Sequence, residues 1–304
     1  YTCYRKAVSG WDGLYLTGMQ YYVIQRILGL LLVLFSSTHV PPLVVSVIYA
    51  DGAGMAFFEA FWITLALGAI LWFPVRRVRQ ELRLRDGFLV VVMFWTVLGL
   101  FGALPLYVAN SVNLSLTDAI FESISGLTTT GATVITGLDT LPKSILFYRQ
   151  MLQWMGGMGI IVLAVAILPM LGVGGMQLYR AETPGPVKDN KLTPRINETA
   201  KALWYIYFSL TVACAVSYWL AGMSVFDAIS HSFSTVAIGG FSPHDASIGY
   251  FNSAAIEAVC VVFMMLGGVN FALHFAAVRN ASFKSYYYDE ECRTYLSVLL
   301  LTGL

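Results

Sequence analysis

Charged side chains are scarce in this chain. They make up 12% of its 304 residues, about half the ~25% of a soluble domain, which excludes a fold wetted by water on all sides. Cysteine is scarce as well. The four residues Cys3, Cys214, Cys260 and Cys292 form no CxxC pair and no His/Cys cluster, so neither a disulfide framework nor a zinc site is indicated. A membrane-embedded enzyme would need His, Glu, Asp or Ser side chains clustered at a cavity, and no such constellation recurs along the sequence. A short apolar run followed by a small-residue cleavage site is missing, so the first long apolar run is expected to act as the insertion signal.

What is present is hydrophobic length, at 58% of the residues. Six runs stand out: Ile27–Tyr49, Ala56–Phe73, Phe88–Ala109, Met151–Leu171, Ala202–Ala221 and Ala254–Ala277. Each is near the ~20 residues a helix needs to cross ~30 Å of hydrocarbon. Lipid permits only helices or closed barrels to span it, and these runs are too long and continuous for barrel strands. The expected fold is an all-α polytopic membrane protein. Pro41-Pro42 and Pro105 mark kinks or span ends, and Trp62, Trp72, Trp154 and Trp219 are expected at interfaces or in the core. Residues 1–18 carry no pattern and precede Met19, which suggests a non-native extension with Met19 as the start. The terminal run Tyr295–Leu304 is too short to span, as expected of a truncated chain.

Basic residues orient the spans, because cytoplasmic loops collect Lys and Arg. Arg5, Lys6 and Arg26 precede the first span, and Arg76 to Arg85 follow the second. Arg180 to Lys201 follow the fourth, and Arg279, Lys284 and Arg293 follow the sixth. Of the 18 basic residues only Lys143 and Arg149 fall on the other side, which places the N-terminus in the cytoplasm. The outer side is acidic, with Asp51, Glu59, Asp118, Glu122, Asp139, Asp227, Asp245 and Glu257 at or near it. Such a mouth concentrates cations, although simple depletion of positive charge accounts for it equally well.

An internal repeat carries the function. The stretch Thr117–Ala132 (TDAIFESISGLTTTGA) aligns without gaps on Phe226–Phe241 (FDAISHSFSTVAIGGF) at an offset of 109 residues, Asp118 falling on Asp227 and Gly131 on Gly240. Trp95 and Trp204 keep that offset. Gly156-Gly157 and Gly267-Gly268 match at 111. The repeating unit is therefore span, short segment, span. The short segments Asp118–Leu127 and Asp227–Val236 have helical spacing but are too short to cross, and an Asp suits a helix N-terminus. Each runs into a glycine-bearing stretch, Thr128-Thr129-Thr130-Gly131-Ala132 or Ala237-Ile238-Gly239-Gly240-Phe241. Irregular backbone at membrane depth is tolerated only inside protein or beside a water-filled cavity. There its carbonyls can replace the hydration shell of a potassium ion, aided by the negative C-terminal end of each short helix.

These motifs, with Leu146–Ile160 (LFYRQMLQWMGGMGI) and Gly174–Glu182 (GGMQLYRAE), resemble the Trk/Ktr/HKT potassium-transporter superfamily, nearest its bacterial TrkH/TrkG branch. The resemblance implies four span–pore loop–span units of the potassium-channel type around one pore, preceded by two extra N-terminal helices. It divides the chain into the two N-terminal helices (19–86), a first unit (87–172), a cytoplasmic loop (173–200), a second unit (201–278) and the truncated start of a third (279–304). It assigns Thr129, Thr130, Gly131, Ile238, Gly239 and Gly240 to the ion path, with Thr128, Ala132, Ala237, Asp118, Asp227 and Arg149 supporting them. A Ser at the first filter glycine accompanies sodium selectivity in related plant transporters; Gly131 here implies potassium. A potassium-uptake subunit of the inner membrane is implied, working as a homodimer with a cytosolic nucleotide-binding regulatory ring near Arg180–Lys201. The transported ion is the only ligand expected, with no organic cofactor and no nucleic acid. Channel-like flux and coupling to sodium or protons both remain open.

Some residues admit two readings. Arg149 at the outer start of a span is either a lone interfacial charge or the partner of Glu122, Asp118 or Asp139, bracing the pore loop. His231, which aligns with Glu122, is expected to pack or hydrogen-bond behind the filter, and His274 to be structural. Gly156, Gly157 and Gly159 either pack closely or let the helix bend.

Overall fold

Uncharged apolar runs have one low-energy solution in lipid. The computed structural model, which describes residues 20–78, 84–159 and 196–303, adopts it: every regular element among those residues is helical. Helix α1 (Tyr21–Ser36) passes through a 3₁₀ turn, Ser37–His39, into α2 (Val40–Tyr49), and together they form one 29-residue span. The 3₁₀ interruption has local causes. The hydroxyls of Ser36, Ser37 and Thr38 donate back to the carbonyls of Val33, Leu34 and Phe35 at 2.7, 2.6 and 2.6 Å, competing with the helical ladder. Pro41 and Pro42 then bring no N–H to the first turn of α2. Helix α3 (Gly54–Trp72) crosses α1 at backbone contact: a methyl on Gly29 would lie 2.6 Å from the Trp72 nitrogen. The apolar run alone puts the first span's start at Ile27, but the helix begins at Tyr21. Arg26 is thus inside it, with its guanidinium on the Val78 carbonyl.

The first unit opens with α4 (Leu84–Gly102), continued after Ala103 by α5 (Leu104–Val108) with Pro105 in its first turn. Then come the short α6 (Leu116–Leu127) and α7 (Lys143–Trp154), which passes into a π-turn at Met155–Gly159. The expected span Met151–Leu171 lies largely outside the described residues, as does most of the basic loop Arg180–Lys201. Because α7 starts at Lys143, Arg149 is well inside a helix and fully buried, not at a span's exposed start. The second unit repeats the plan with α8 (Ile196–Leu220), the short α9 (Val225–Val236) and α10 (Ala254–Gly268).

Ala254–Ala277 is not one helix, contrary to the hydrophobic pattern. Helix α10 ends at Gly268 and α11 (Phe271–Asn280) leaves at 95°. Two consecutive glycines weaken the helix, and the Leu266 carbonyl set free there accepts from Val269 N at 3.3 Å and meets His274 Nε2 at 2.9 Å. The other nitrogen of His274 meets Tyr286 Oη at 2.8 Å, in α12 (Lys284–Tyr288). The terminal apolar run belongs to α13, which starts earlier, at Glu290.

The first core joins the N-terminal helices to unit one through Phe35, Phe57, Leu106, Ile145 and Tyr148, and the second gathers Tyr207, Tyr218, Val236 and Ile256 of unit two. Trp154 connects the units. It stacks on Tyr207 and Phe233 at 5.9 and 5.2 Å, and its indole N–H donates to Thr211 at 3.0 Å. Val47, Ile48, Ile70, Leu220 and Leu301 face outward, as lipid contact requires.

Candidate functional site

The two short helices are built alike. Ser115 and Ser224 are their N-caps, each accepting from the backbone N–H three residues on, of Asp118 and Asp227, at 3.1 Å. Each serine hydroxyl also donates to that same Asp carboxylate at 2.7 Å. The aspartates are thus third helical residues held by the N-cap hydroxyls rather than first residues, and the helices start at Leu116 and Val225. Twelve residues each, at 1.5 Å per residue they reach about 18 Å, too short to cross ~30 Å of hydrocarbon.

Both then end by the same hydrogen bonds. Thr129 N donates to Gly126 O at 3.0 Å and Thr130 N to Ser125 O at 2.9 Å. In the second unit Ile238 N donates to Thr235 O at 3.1 Å and Gly239 N to Ser234 O at 2.8 Å. The backbone next alternates in hand. Thr129 and Gly131 have φ of +55° and +76°, and their counterparts Ile238 and Gly240 have +53° and +85°. Positive φ at the β-branched Thr129 and Ile238 is a strained conformation, and it occurs at the same place in both copies. Alternation of this kind turns successive carbonyls toward one side of the chain. The carbonyls of Thr129, Thr130, Gly131, Ile238 and Gly240 accept no hydrogen bond among the described residues, and Thr130, Ile238 and Gly240 are exposed. An exposed row of unpaired main-chain oxygens at the negative ends of two helices is a cation-ligating arrangement.

The supporting residues converge on the same place. Thr128 donates to Ile124 O at 2.7 Å and meets the Thr130 hydroxyl at 2.8 Å. The Ala132 carbonyl accepts from Ser125 Oγ at 2.6 Å, and Ala237 caps α9. The two segments touch: a methyl on Gly131 would stand 2.1 Å from the Gly239 oxygen. Of the three carboxylates open to it, Arg149 chooses Glu122, donating from Nε to Oε1 at 2.7 Å with both side chains fully buried. It also donates to Thr133 Oγ1 at 3.0 Å and, across the unit boundary, to Ser242 O at 3.2 Å. Glu122 further accepts from Thr133 Oγ1 and Val134 N at 2.9 and 3.1 Å. His231, the counterpart of Glu122, meets Ser242 Oγ at 3.1 Å, and Ser242 is the counterpart of Thr133. Asp118 stays with its cap.

Gln153 is not singled out by the repeat, yet it is fully buried, donates from Nε2 to Gly239 O at 2.7 Å and accepts from Phe241 N at 3.0 Å. The signal available was a polar amide one turn beyond Arg149 in an otherwise apolar face. Beneath the segments each unit packs a glycine on the last carbonyl of its short helix. A methyl on Gly156 would lie 1.7 Å from Leu127 O, and one on Gly267 2.7 Å from Val236 O. Close packing is therefore realised at Gly156, and the π-turn shows that the helix also departs from α geometry there. A tyrosine from a later helix, α8 or α13, then closes on the second glycine. Tyr207 covers Gly157 and donates to Trp154 O at 2.9 Å; Tyr295 covers Gly268 and donates to Met265 O at 3.5 Å.

At the end where the short helices begin, His244 joins the loops of both units. It contacts Asp139 at 2.5 Å and Asp227 at 3.2 Å and stacks on Tyr250 at 3.6 Å, while Asp245 accepts from Gly137 N at 3.1 Å. The hydrogen bond from His244 holds the Asp139 carboxyl below its ordinary range. For Asp51, burial alone would raise the carboxyl, but bonds from Ser46, Ser144 and Ala53 outweigh it and lower it. Asp51 thereby ties the α2–α3 turn to the start of α7.

A family profile described as TrkH, cation transport protein, matches residues 53–302. The chain belongs to the TrkH family. It is 64% identical over 288 residues to the Trk system potassium uptake protein TrkH of Vibrio parahaemolyticus, covering 94% of this chain and 59% of that protein. It is 45% identical over 278 residues to TrkG of Escherichia coli K12, covering 91% and 57%. Among solved structures, the crystal structure of the potassium transporter TrkH from Vibrio parahaemolyticus superposes with a TM-score of 0.81 at 59% identity, over 93% of this chain and 57% of that one. The chain thus spans somewhat more than half the length of these relatives. TrkH-family membership and the apolar helices make this a membrane protein.

Proposed function

We propose that this chain supplies half of a potassium-selective pore in the inner membrane, as part of a Trk-type uptake protein. The observation that carries the reading is the duplicated strand of alternating hand, with unpaired carbonyls at Thr129–Gly131 and at Ile238 and Gly240. Dehydrated potassium needs a ring of such oxygens, so two further units are required to close it. Helix α13 is the first helix of a third unit, because Tyr295 meets unit two as Tyr207 meets unit one. Two N-terminal helices precede the units. The basic residues favour a cytoplasmic N-terminus, and the family resemblance supports the basic stretch Arg180–Lys201 as the contact for a nucleotide-binding regulatory ring on a homodimer.

The test uses the full-length gene in cells lacking their own potassium uptake, grown at limiting potassium. Growth is expected, together with a reversal potential near that of potassium for the reconstituted protein. Gly131→Ser strains a +76° φ and drives a methylene onto the Gly239 oxygen; a clear loss of potassium-over-sodium preference is expected. An unchanged reversal potential in that variant would remove Gly131 from the ion path.

A further inference from the structure

The second filter segment is held by the first unit. Helix α7 belongs to unit one, yet two of its side chains, one turn apart, reach the backbone of unit two. Arg149 reaches Ser242 O at 3.2 Å. Gln153 makes both of its available amide bonds to one short stretch, donating to Gly239 O at 2.7 Å and accepting from Phe241 N at 3.0 Å. These two bonds straddle Gly240, whose φ is +85°. A primary amide used in this way fixes the orientation of the peptide planes on either side of an exposed filter residue, as a backbone strand would. It also takes the Gly239 oxygen out of the unpaired set and leaves the Ile238 and Gly240 oxygens open. We infer that Gln153 is a positioning residue for ion selectivity, setting the height and rotation of the Ile238–Gly240 segment against Thr129–Gly131. The inference rests on reading these segments as the ion path.

The geometry makes it separable from mere packing. Gly239 has an ordinary φ, so alanine is allowed there by the backbone, and the obstacle is the Gln153 amide group, at 2.4, 2.4 and 2.8 Å from the added methyl. Full-length protein in liposomes is assayed by reversal potential in mixed potassium and sodium. Gln153→Leu keeps bulk and removes both bonds; the permeability ratio is expected to fall roughly tenfold, equivalent to about 1.4 kcal/mol. Gln153→Glu keeps the outline and loses the Nε2 donor, and serves if the leucine variant does not assemble; the same direction is expected. Gly239→Ala should damage selectivity in the parent and much less on a Gln153→Ala background, because neighbours in contact are not additive. If assembled Gln153 variants keep the parental ratio while Gly131→Ser shifts it, the positioning role is overturned and the ion path stands. If Gly131→Ser also leaves the ratio unchanged, the ion-path reading has failed and takes this one with it.

Discussion

Arg149→Gln should leave membrane insertion intact and abolish transport, and the structure gives the size of the injury. The guanidinium is fully buried and bonded to Glu122, Thr133 and Ser242, with Phe241 under it at 4.4 Å. Removing one partner of a buried pair costs ~3–5 kcal/mol, mostly through the charge left behind. Here Glu122 keeps bonds from Thr133 Oγ1 and Val134 N, which offset part of that loss and bring the expected destabilisation to about 2–3 kcal/mol. Unit two supplies the control. Its counterpart of Glu122 is His231, which meets Ser242 Oγ and forms no ion pair among the described residues, so the plan does not require one at this position. Neutralising both partners, Glu122→Gln with Arg149→Gln, should therefore be milder than the two single effects added together, by at least ~1 kcal/mol. Thermal unfolding of the purified full-length protein, with potassium uptake alongside, measures this cycle. Effects that add to within about 0.5 kcal/mol would refute the buried pair as a coupled brace.

Two further outcomes follow from other contacts. Gly156→Ala puts a methyl 1.7 Å from Leu127 O, a backbone atom that cannot turn away, whereas Gly267→Ala meets Val236 O at 2.7 Å; uptake at matched expression should be lost in the first and only reduced in the second. The carboxyl of Asp139 is lowered by its bond to His244, so its share of loop stability is full above the ordinary carboxylate range and disappears as pH falls through the lowered value. Accessibility labelling of the 137–141 turn should thus rise only in strong acid, and Asp139→Asn should remove that dependence while making the turn more accessible near neutrality.

Much of the architecture was legible from the sequence. Spans are set by hydrophobic length, a one-dimensional property, and the repeat announced two half-length helices followed by a special backbone. The alignment marked the glycine-bearing stretches Thr128–Ala132 and Ala237–Phe241, and the family resemblance narrowed them to Thr129–Gly131 and Ile238–Gly240. Less visible were features that depend on a second segment. The Ser115 and Ser224 caps moved both helix starts back, because their partner is three residues into the helix. The break after Gly268 is stabilised by His274, eight residues beyond the carbonyl it bonds. Whether Arg149 would select Glu122, Asp118 or Asp139 could not be read from spacing, since Asp118 is taken by its cap and Asp139 by His244. Gln153 escaped notice because its side-chain bonds among the described residues run to backbone almost ninety residues away, and main-chain partners leave no pattern in side-chain identity.

The tyrosines seated on Gly157 and Gly268 carry a consequence for how such a chain can be rearranged. Tyr207 lies in the first helix of unit two and Tyr295 in α13, beyond α11 and α12, so the paired glycines of each described unit offer a socket to a later stretch of the chain. The order of neighbours along the chain is then enforced twice, by connectivity and by fit. Two modules of near-equal shape could not trade places without leaving one socket empty, which frees each copy to diverge in its own chemistry while its place in the order stays fixed.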